Sequence, residues 1–220
     1  MGKQVRATKH RAETIAKREE IIRAASEIVG YKGSSNATLQ DIADRVGMTR
    51  AGVLHHFGSK EDLLIEVMRY RDYSQVSHLP EKKMPEGAEC FLHLIATAQS
   101  NAHNEAAVRL FVALSSESIT EGNSGYPYFV QRYKNLRQEL TQAFVAIAME
   151  RKWVIDMQKA SQASAMILAA MDGIQFQWIL SQQDIDMVAC TTYAIRAAIQ
   201  SVFPDKDVDD ILYHSDTPQK

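Results

Sequence analysis

Apolar residues recur at helical spacing along almost the whole chain, and the alternation typical of strands is hard to find. In the first such segment, residues 12–31, Ile21, Ala25 and Ile28 share one stripe. Five longer stretches follow farther along, at residues 87–102, 105–119, 127–151, 157–182 and 186–203. The pattern therefore predicts an all-α protein.

Three short helices are predicted from hydroxyl residues that can cap a helix. Thr38, Thr49 and Ser59 each precede a short helical run. Each hydroxyl can accept an otherwise unpaired backbone N–H, which contributes about 1 kcal/mol per cap. We expect helices at 38–46 and 49–57, and a third that begins at Lys60.

Breaks in the helical pattern indicate how the chain is divided. The segment 79–87 contains two prolines, one glycine and four charged residues, which is typical of a connection. We expect a flexible basic arm at 1–13, a three-helix head at 14–73, a helical bundle at 79–204 and a polar, frayed tail at 205–220. The expected fold is an N-terminal three-helix head plus a C-terminal bundle, about nine helices in all.

The net charge of −2 is unevenly distributed, since residues 1–60 carry +5 and the rest −7. A basic head on an acidic body indicates a polyanionic partner for the head. No apolar run approaches the roughly 20 residues of a membrane helix, and no secretory signal is recognisable, so we expect a cytoplasmic protein without a membrane partner. Cys90 and Cys190 are expected to be buried thiols, with a redox-sensing Cys90 as the alternative.

The segment 38–60 meets the geometric demands of a helix-turn-helix unit, in which two short helices cross over a tight turn. Gly47 tolerates the positive φ that the turn needs, and Ala43 is small where the helices approach most closely. Core positions on the two helices are occupied by Leu39, Ile42, Val46, Val53 and Phe57. The alternative is a generic helical hairpin.

A helix-turn-helix unit predicts which residues reach DNA. Backbone N–H groups at the start of the second helix can bind phosphate, and Arg50 can bind guanine or phosphate. The predicted DNA-binding set is Thr38, Thr49, Arg50, Ala51, Gly52, His55 and Lys60. His55 and His56 point about 100° apart as helix neighbours, so we expect no metal site here, and no cofactor.

The stretches IADRVGMTR (42–50) and LHHFGSKEDLL (54–64) resemble the DNA-binding head of the TetR repressor family. The resemblance implies a homodimer, a nine-helix chain, and repression relieved by a small ligand. Many relatives have a phosphate-binding tyrosine where this chain has Leu54. We hypothesise that His55 and Lys60 take a larger share of the phosphate contacts; the alternative is that Leu54 only packs and nothing replaces the contact.

The helices 157–182 and 186–203 are apolar on two faces, which indicates burial on two sides. One face can meet the body core and the other a partner subunit, giving a symmetric four-helix seam. The alternative is that both are central helices of a monomer. The residues predicted for the dimer interface are Ile167, Met171, Ile174, Trp178, Thr191, Ile195, Ile199 and Val202.

A ligand pocket is indicated by aromatic residues and by polar residues on apolar runs. The candidates are Phe91, Phe111, Ser115, Ser118, Phe129, Tyr133, Met166 and Gln175. No nucleotide-binding or zinc-protease motif is found, so an enzyme is not expected. We predict a repressor that binds double-stranded DNA as a homodimer and is released by a small, partly apolar effector; an activator, or an adaptor without a ligand, is the alternative.

Overall fold

The computed structural model describes residues 2–34 and 36–214, with side chains described for 13–34, 36–79 and 81–214. These residues form ten α-helices, a 3₁₀ turn at Pro80–Lys82 and no strand, which confirms the all-α class. The helices are α1 Gly2–Lys32, α2 Leu39–Arg45, α3 Arg50–Phe57, α4 Lys60–Val76, α5 Gly87–Ala102, α6 Glu105–Glu117, α7 Tyr126–Arg151, α8 Met157–Leu180, α9 Met187–Val202 and α10 Val208–Tyr213.

The chain folds as two compact units. The head unit contains the chain up to Tyr73 together with Ala106–Pro127, and the body unit contains Ser74–Glu105 and the chain from Tyr128 onward. Helix α6 and the loop after it therefore belong with the head, although the sequence pattern placed them in the body. At Gly30, an added Cβ would lie 2.5 Å from the Cβ of Ala106, so α1 and α6 approach closely here.

The head core is formed by the apolar stripes of its short helices. Ile21 and Ala25 of α1, Ile42 of α2, Val53 of α3 and Leu63 of α4 are all completely buried. The helix starts are capped as predicted. The N–H groups of Asp41, Gly52 and Asp62 donate to the hydroxyls of Thr38, Thr49 and Ser59, at 3.1, 3.1 and 3.0 Å.

The body core joins α5, α7, α8, α9 and α10 in one apolar cluster. The rings of Phe91 and Phe144 lie 4.7 Å apart within it. Among the described helices, only α8 is long and apolar enough to cross a membrane, by length and composition alone. One face of α8 is buried in the cluster and packs along α9, which is the environment of a core helix in a bundle.

Both predicted chain ends need correction. Helix α1 begins at Gly2, so the expected arm at 1–13 is helical from there on, while Met1 lies outside the described residues. The expected tail at 205–220 includes helix α10, which Asp207 caps and whose Val208, Ile211 and Leu212 are buried. These side chains complete the body core, and residues 215–220 lie outside the described part of the chain.

Candidate nucleic-acid interface

The turn between α2 and α3 has the geometry of a helix-turn-helix unit. Gly47 adopts a φ of +63°, which a residue with a side chain rarely adopts. The N–H of Met48 then donates to the carbonyl of Ala43 at 2.9 Å and closes the turn. Ala43 is completely buried where the chain reverses. The predicted roles of Gly47 and Ala43 are therefore confirmed.

Helix α3 buries one face and presents the other to solvent. Val53 and Phe57 point into the head core, whereas Arg50, Ala51 and His55 are exposed. Within the described part of the chain, the Arg50 guanidinium has no hydrogen-bond or ion-pair partner. Its charge is consequently available to an external anion, as the prediction requires.

A close contact explains why a glycine stands at position 52, and the sequence did not indicate this contact. A Cβ at this position would lie 3.0 Å from the Met48 Cε and 3.4 Å from the Thr49 hydroxyl oxygen. Gly52 is half-buried, as are Leu54 and His56. The glycine therefore allows Met48 to pack over the turn, and the exposed face of α3 is narrower than predicted.

Thr38 lies exposed at the start of α2 in a reciprocal capping arrangement. Its hydroxyl and its backbone N–H both donate to the carboxylate of Asp41, at 2.8 and 2.9 Å. Lys32 donates to the same carboxylate at 2.7 Å. The Lys32 bond, followed by the two bonds from Thr38, lowers the pKa of Asp41 to about 2. The backbone before α2 is thus held in one geometry by an ionised carboxylate.

Lys60, which is predicted to contact phosphate, makes a hydrogen bond within the head. Its ammonium donates to the backbone carbonyl of Ser34 at 2.6 Å, and the side chain is half-buried. The hydroxyl of Ser34 in turn donates to the carboxylate of Glu117 on α6 at 2.5 Å. Lys60 therefore links α4 to the end of α1.

Two basic residues of α1 donate hydrogen bonds to backbone carbonyls of the helix-turn-helix unit. The sequence pattern did not single them out. Lys17 donates to the carbonyl of Val46 at 2.8 Å, and Arg18 donates to the carbonyl of His56 at 2.7 Å. A signal was present, because Lys17 and Arg18 lie one turn before Ile21 and Ile22 on the two apolar stripes of α1. A cation that extends an apolar stripe is placed to bury its stem and bond a nearby carbonyl.

Most of the residues predicted for the dimer interface are buried within the protomer itself. Ile174 is half-buried, and all the others are buried, with Ile167, Ile195 and Ile199 completely so. Five of them, Ile167, Met171, Ile195, Ile199 and Val202, belong to the body core cluster, so the protomer itself covers these side chains. The exposed stripe of α8 is the adjacent one, formed by Ala165, Met166, Ala169, Phe176 and Leu180, and that of α9 is formed by Ala189, Tyr193 and Ala197.

The predicted pocket residues are divided between the two units. Phe111, Ser115 and Ser118 belong to the head unit, and the two serine hydroxyls bond carbonyls of their own helix region. In the body unit, Phe91 is a core residue that packs on Phe144, and Phe129 is also buried. Met166 is 46% exposed, which removes it from any internal pocket.

Two polar residues on the predicted list remain of interest. The Tyr133 hydroxyl donates to the Asp172 carboxylate at 2.6 Å, which joins α7 to α8. The amide nitrogen of Gln175 donates to the Met171 carbonyl at 3.3 Å, while its oxygen is buried and has no partner among the described residues. A groove of about 570 Å³ between residues 83–86 and α7 contains none of the predicted residues.

The alternative of a redox-sensing Cys90 finds little support in the geometry. Burial, assisted by the nearby charge of Glu139, raises the pKa of Cys90 to about 12, so its thiolate is scarce and it is a poor redox sensor. Cys190 is half-buried rather than buried. The rings of His78 and His93 lie 6.3 Å apart, and the described residues bring together no three metal-binding side chains.

Residues 21–67 match the family model described as bacterial regulatory proteins, tetR family. The matched segment includes both helices of the helix-turn-helix unit and the exposed face of α3. Over most of its length, the chain is similar to the HTH-type transcriptional repressor BepR of Brucella suis biovar 1. The two are 23% identical over 210 residues, which cover 87% of this chain and 94% of BepR.

Two solved structures share the fold. SmeT in complex with triclosan matches with a TM-score of 0.68 and 16% identity, covering 84% of this chain and 91% of SmeT. SmeT represses the Stenotrophomonas maltophilia multidrug efflux pump SmeDEF. The regulator FadR from Bacillus subtilis in complex with stearoyl-CoA matches with a TM-score of 0.67 and 17% identity, covering 84% and 98%. At these identities, the likeness establishes the fold.

Proposed function

We propose that this chain, a transcriptional regulator that belongs to the tetR family of bacterial regulatory proteins, is a cytoplasmic repressor that binds an inverted-repeat operator as a dimer and leaves it when a small, partly apolar effector binds. The exposed face of α3 carries the proposal. Within one turn it combines the Arg50 guanidinium, which has no partner among the described residues, the helix start capped by Thr49, and the small residue Ala51.

The chemistry of this face suits the major groove of double-stranded DNA. Arg50 can bond a guanine edge or a phosphate, and Ala51 allows the helix start to approach the backbone closely. Thr38 and Thr49 lie exposed at the starts of α2 and α3, where backbone N–H groups favour phosphate. His55 is exposed one residue after Leu54, so it remains our candidate for the phosphate contact that tyrosine makes in many relatives.

A dimer is supported by the exposed apolar stripes of α8 and α9. Phe176, Leu180 and Tyr193 are 48%, 72% and 77% exposed, which is unusual for large apolar side chains on well-packed helices. Small residues between them, such as Ala169 and Ala197, allow close helix packing. Two copies related by a two-fold axis would read half-sites about 34 Å apart or slightly more.

An effector is supported by the buried amide oxygen of Gln175. A buried acceptor without a donor costs about 1–3 kcal/mol, which a ligand that supplies an O–H or N–H would recover. SmeT and FadR were solved with triclosan and stearoyl-CoA, and each of these molecules joins an apolar part to polar groups. The effector would act by binding the DNA-incompatible state better than the DNA-bound state.

The DNA-binding half is tested by selecting duplexes from a random-sequence library with the full-length chain. We expect an enriched inverted repeat, and an Arg50→Ala variant that binds it at least ten-fold more weakly. The exposed Arg23 on α1 is the matched control, and Arg23→Ala should bind with wild-type affinity. Enrichment of single, unpaired sites, or of nothing, would overturn the proposal.

The effector half is tested by thermal shift with triclosan, stearoyl-CoA and related phenols and acyl compounds. A compound that raises the wild-type Tm should also release the selected operator. Gln175→Leu should keep operator binding but lose most of that Tm shift, because the compound loses its acceptor. Gln158→Leu, an exposed position at the other end of α8, is the control. Equal Tm shifts in both variants would remove Gln175 from the proposal.

A further inference from the structure

Two consecutive cations of α1 each bond the end of a different helix in the helix-turn-helix unit. The Lys17 ammonium lies 2.8 Å from the carbonyl oxygen of Val46, the residue that caps the C-terminal end of α2. The Arg18 guanidinium lies 2.7 Å from the carbonyl oxygen of His56, in the last turn of α3. One turn of α1 thus holds the C-terminal ends of both helices.

Electrostatics favours cations at these two positions. The last carbonyls of a helix have no intrahelical donor and carry partial negative charge, so a nearby cation stabilises them. Consecutive residues on a helix point about 100° apart, so the side chains of Lys17 and Arg18 leave α1 in different directions and can contact different helices. Their separation along and around α1 therefore matches the separation between the ends of α2 and α3.

Further contacts hold each cation in place. Glu20 pairs with Lys17 at 2.9 Å, and Glu66 of α4 pairs with Arg18 at 2.9 Å. The Arg18 guanidinium also lies over the Phe57 ring, 4.2 Å from its centroid. These carboxylates neutralise both cations locally. Lys17 and Arg18 consequently add little to the positive potential of the head, unlike Arg50.

We propose that Lys17 and Arg18 are positioning residues that fix the angle of α3 against α2 and so determine how well the protein discriminates its operator from other DNA. They would not contribute phosphate contacts, although they belong to the basic segment of the chain. This inference rests on the proposed DNA-binding function. It predicts a loss of sequence discrimination without a loss of phosphate contacts.

The test compares wild type with Arg18→Met, Arg18→Lys and Lys17→Met in the full-length chain, with Arg23→Met as the control. Binding of the selected operator and of a scrambled duplex of equal length is measured over a series of salt concentrations, and Tm is recorded for each variant. A lost phosphate contact would reduce the slope of log K against log[salt] by about one.

We expect Arg18→Met and Lys17→Met to lower the ratio of specific to scrambled affinity at least ten-fold with an unchanged salt slope. Arg18→Lys should restore part of the ratio, because an ammonium can still bond the His56 carbonyl. A slope reduced by about one, or a lower Tm with an unchanged ratio, would overturn the inference. If Arg18→Met does not fold, Lys17→Met decides by the same criteria. A wild-type protein that shows no discrimination would instead contradict the proposed function.

Discussion

Individual polar side chains bind the starts of the short helices in the head. Thr38, Thr49 and Ser59 each accept the N–H of the residue three positions ahead. These bonds are local, so the order of residues is enough to predict them. The carboxylate of Asp41 also accepts a hydrogen bond from Lys32 of α1. Because this bond needs an ionised carboxylate, we expect the stability of α2 to depend on pH.

Asp41 should lose its stabilising contribution in acid. Its pKa in the folded head, about 2, lies below the ordinary 3.8, so the contribution is complete above about pH 4 and is lost as the pH falls from there towards 2. We expect the Tm difference between wild type and Asp41→Asn to narrow as the pH is lowered from about 6 to about 3. Asp44→Asn is the control, because it removes one negative charge from α2 without touching the Asp41 carboxylate. A difference that stays constant with pH would contradict this assignment.

Helix α6 packs on the head through close backbone approach at one end and polar contact at the other. Gly30 of α1 is buried against Ala106, and at the far end of α6 the carboxylate of Glu117 accepts the hydroxyl of Ser34. Between them, the Arg71 guanidinium lies 4.9 Å from the Phe111 ring centroid. The element is thus fixed to the head along its length.

Gly30→Ala should destabilise the protein, although alanine normally favours a helix by about 0.5–1 kcal/mol over glycine. The new Cβ would lie 2.5 Å from the Ala106 Cβ and 2.9 Å from its carbonyl oxygen, so backbone must move. We expect a loss of roughly 1–3 kcal/mol in urea unfolding. Adding Ala106→Gly should recover part of it in a double-mutant cycle. A more stable Gly30→Ala variant would show that α1 and α6 do not approach this closely.

At the scale of the whole molecule, the proposed function requires two copies of the chain. The core cluster takes the inner stripes of α8 and α9, which leaves the outer stripes with Met166, Phe176, Leu180 and Tyr193 uncovered. A second copy that packs its own stripes against these would remove several large apolar side chains from water. Each such side chain contributes about 1.5–3 kcal/mol when fully buried.

Phe176→Glu should therefore produce a monomer. A carboxylate on a closely packed apolar seam is desolvated in each subunit, and the two-fold axis places it there twice. We expect sedimentation velocity to show a dimer for wild type and a monomer for the variant at micromolar concentration, with operator affinity reduced at least ten-fold. Val154→Glu is the control, since Val154 is 98% exposed in the loop between α7 and α8. A dimeric Phe176→Glu would place the interface elsewhere.

The sequence by itself determined most of the helices and the helix-turn-helix unit of the head. The five helices from α5 to α9 were predicted to within about two residues of their observed ends, because apolar periodicity and loop residues are read along the chain. The turn at Gly47 and the three hydroxyl caps were also predicted. In each case the decisive atoms lie within a few residues of one another, so local rules are sufficient.

Only the tertiary structure decided which groups face each other across elements. A helix with two apolar faces does not reveal which face the protomer buries, and the packing of α8 on α9 reversed the prediction for Ile167 and Ile195. The same holds for Lys60 on Ser34 and for Arg18 on His56, whose partners lie 26 and 38 residues away in the chain. Burial and long-range hydrogen bonds depend on the arrangement of whole helices, which no local pattern contains.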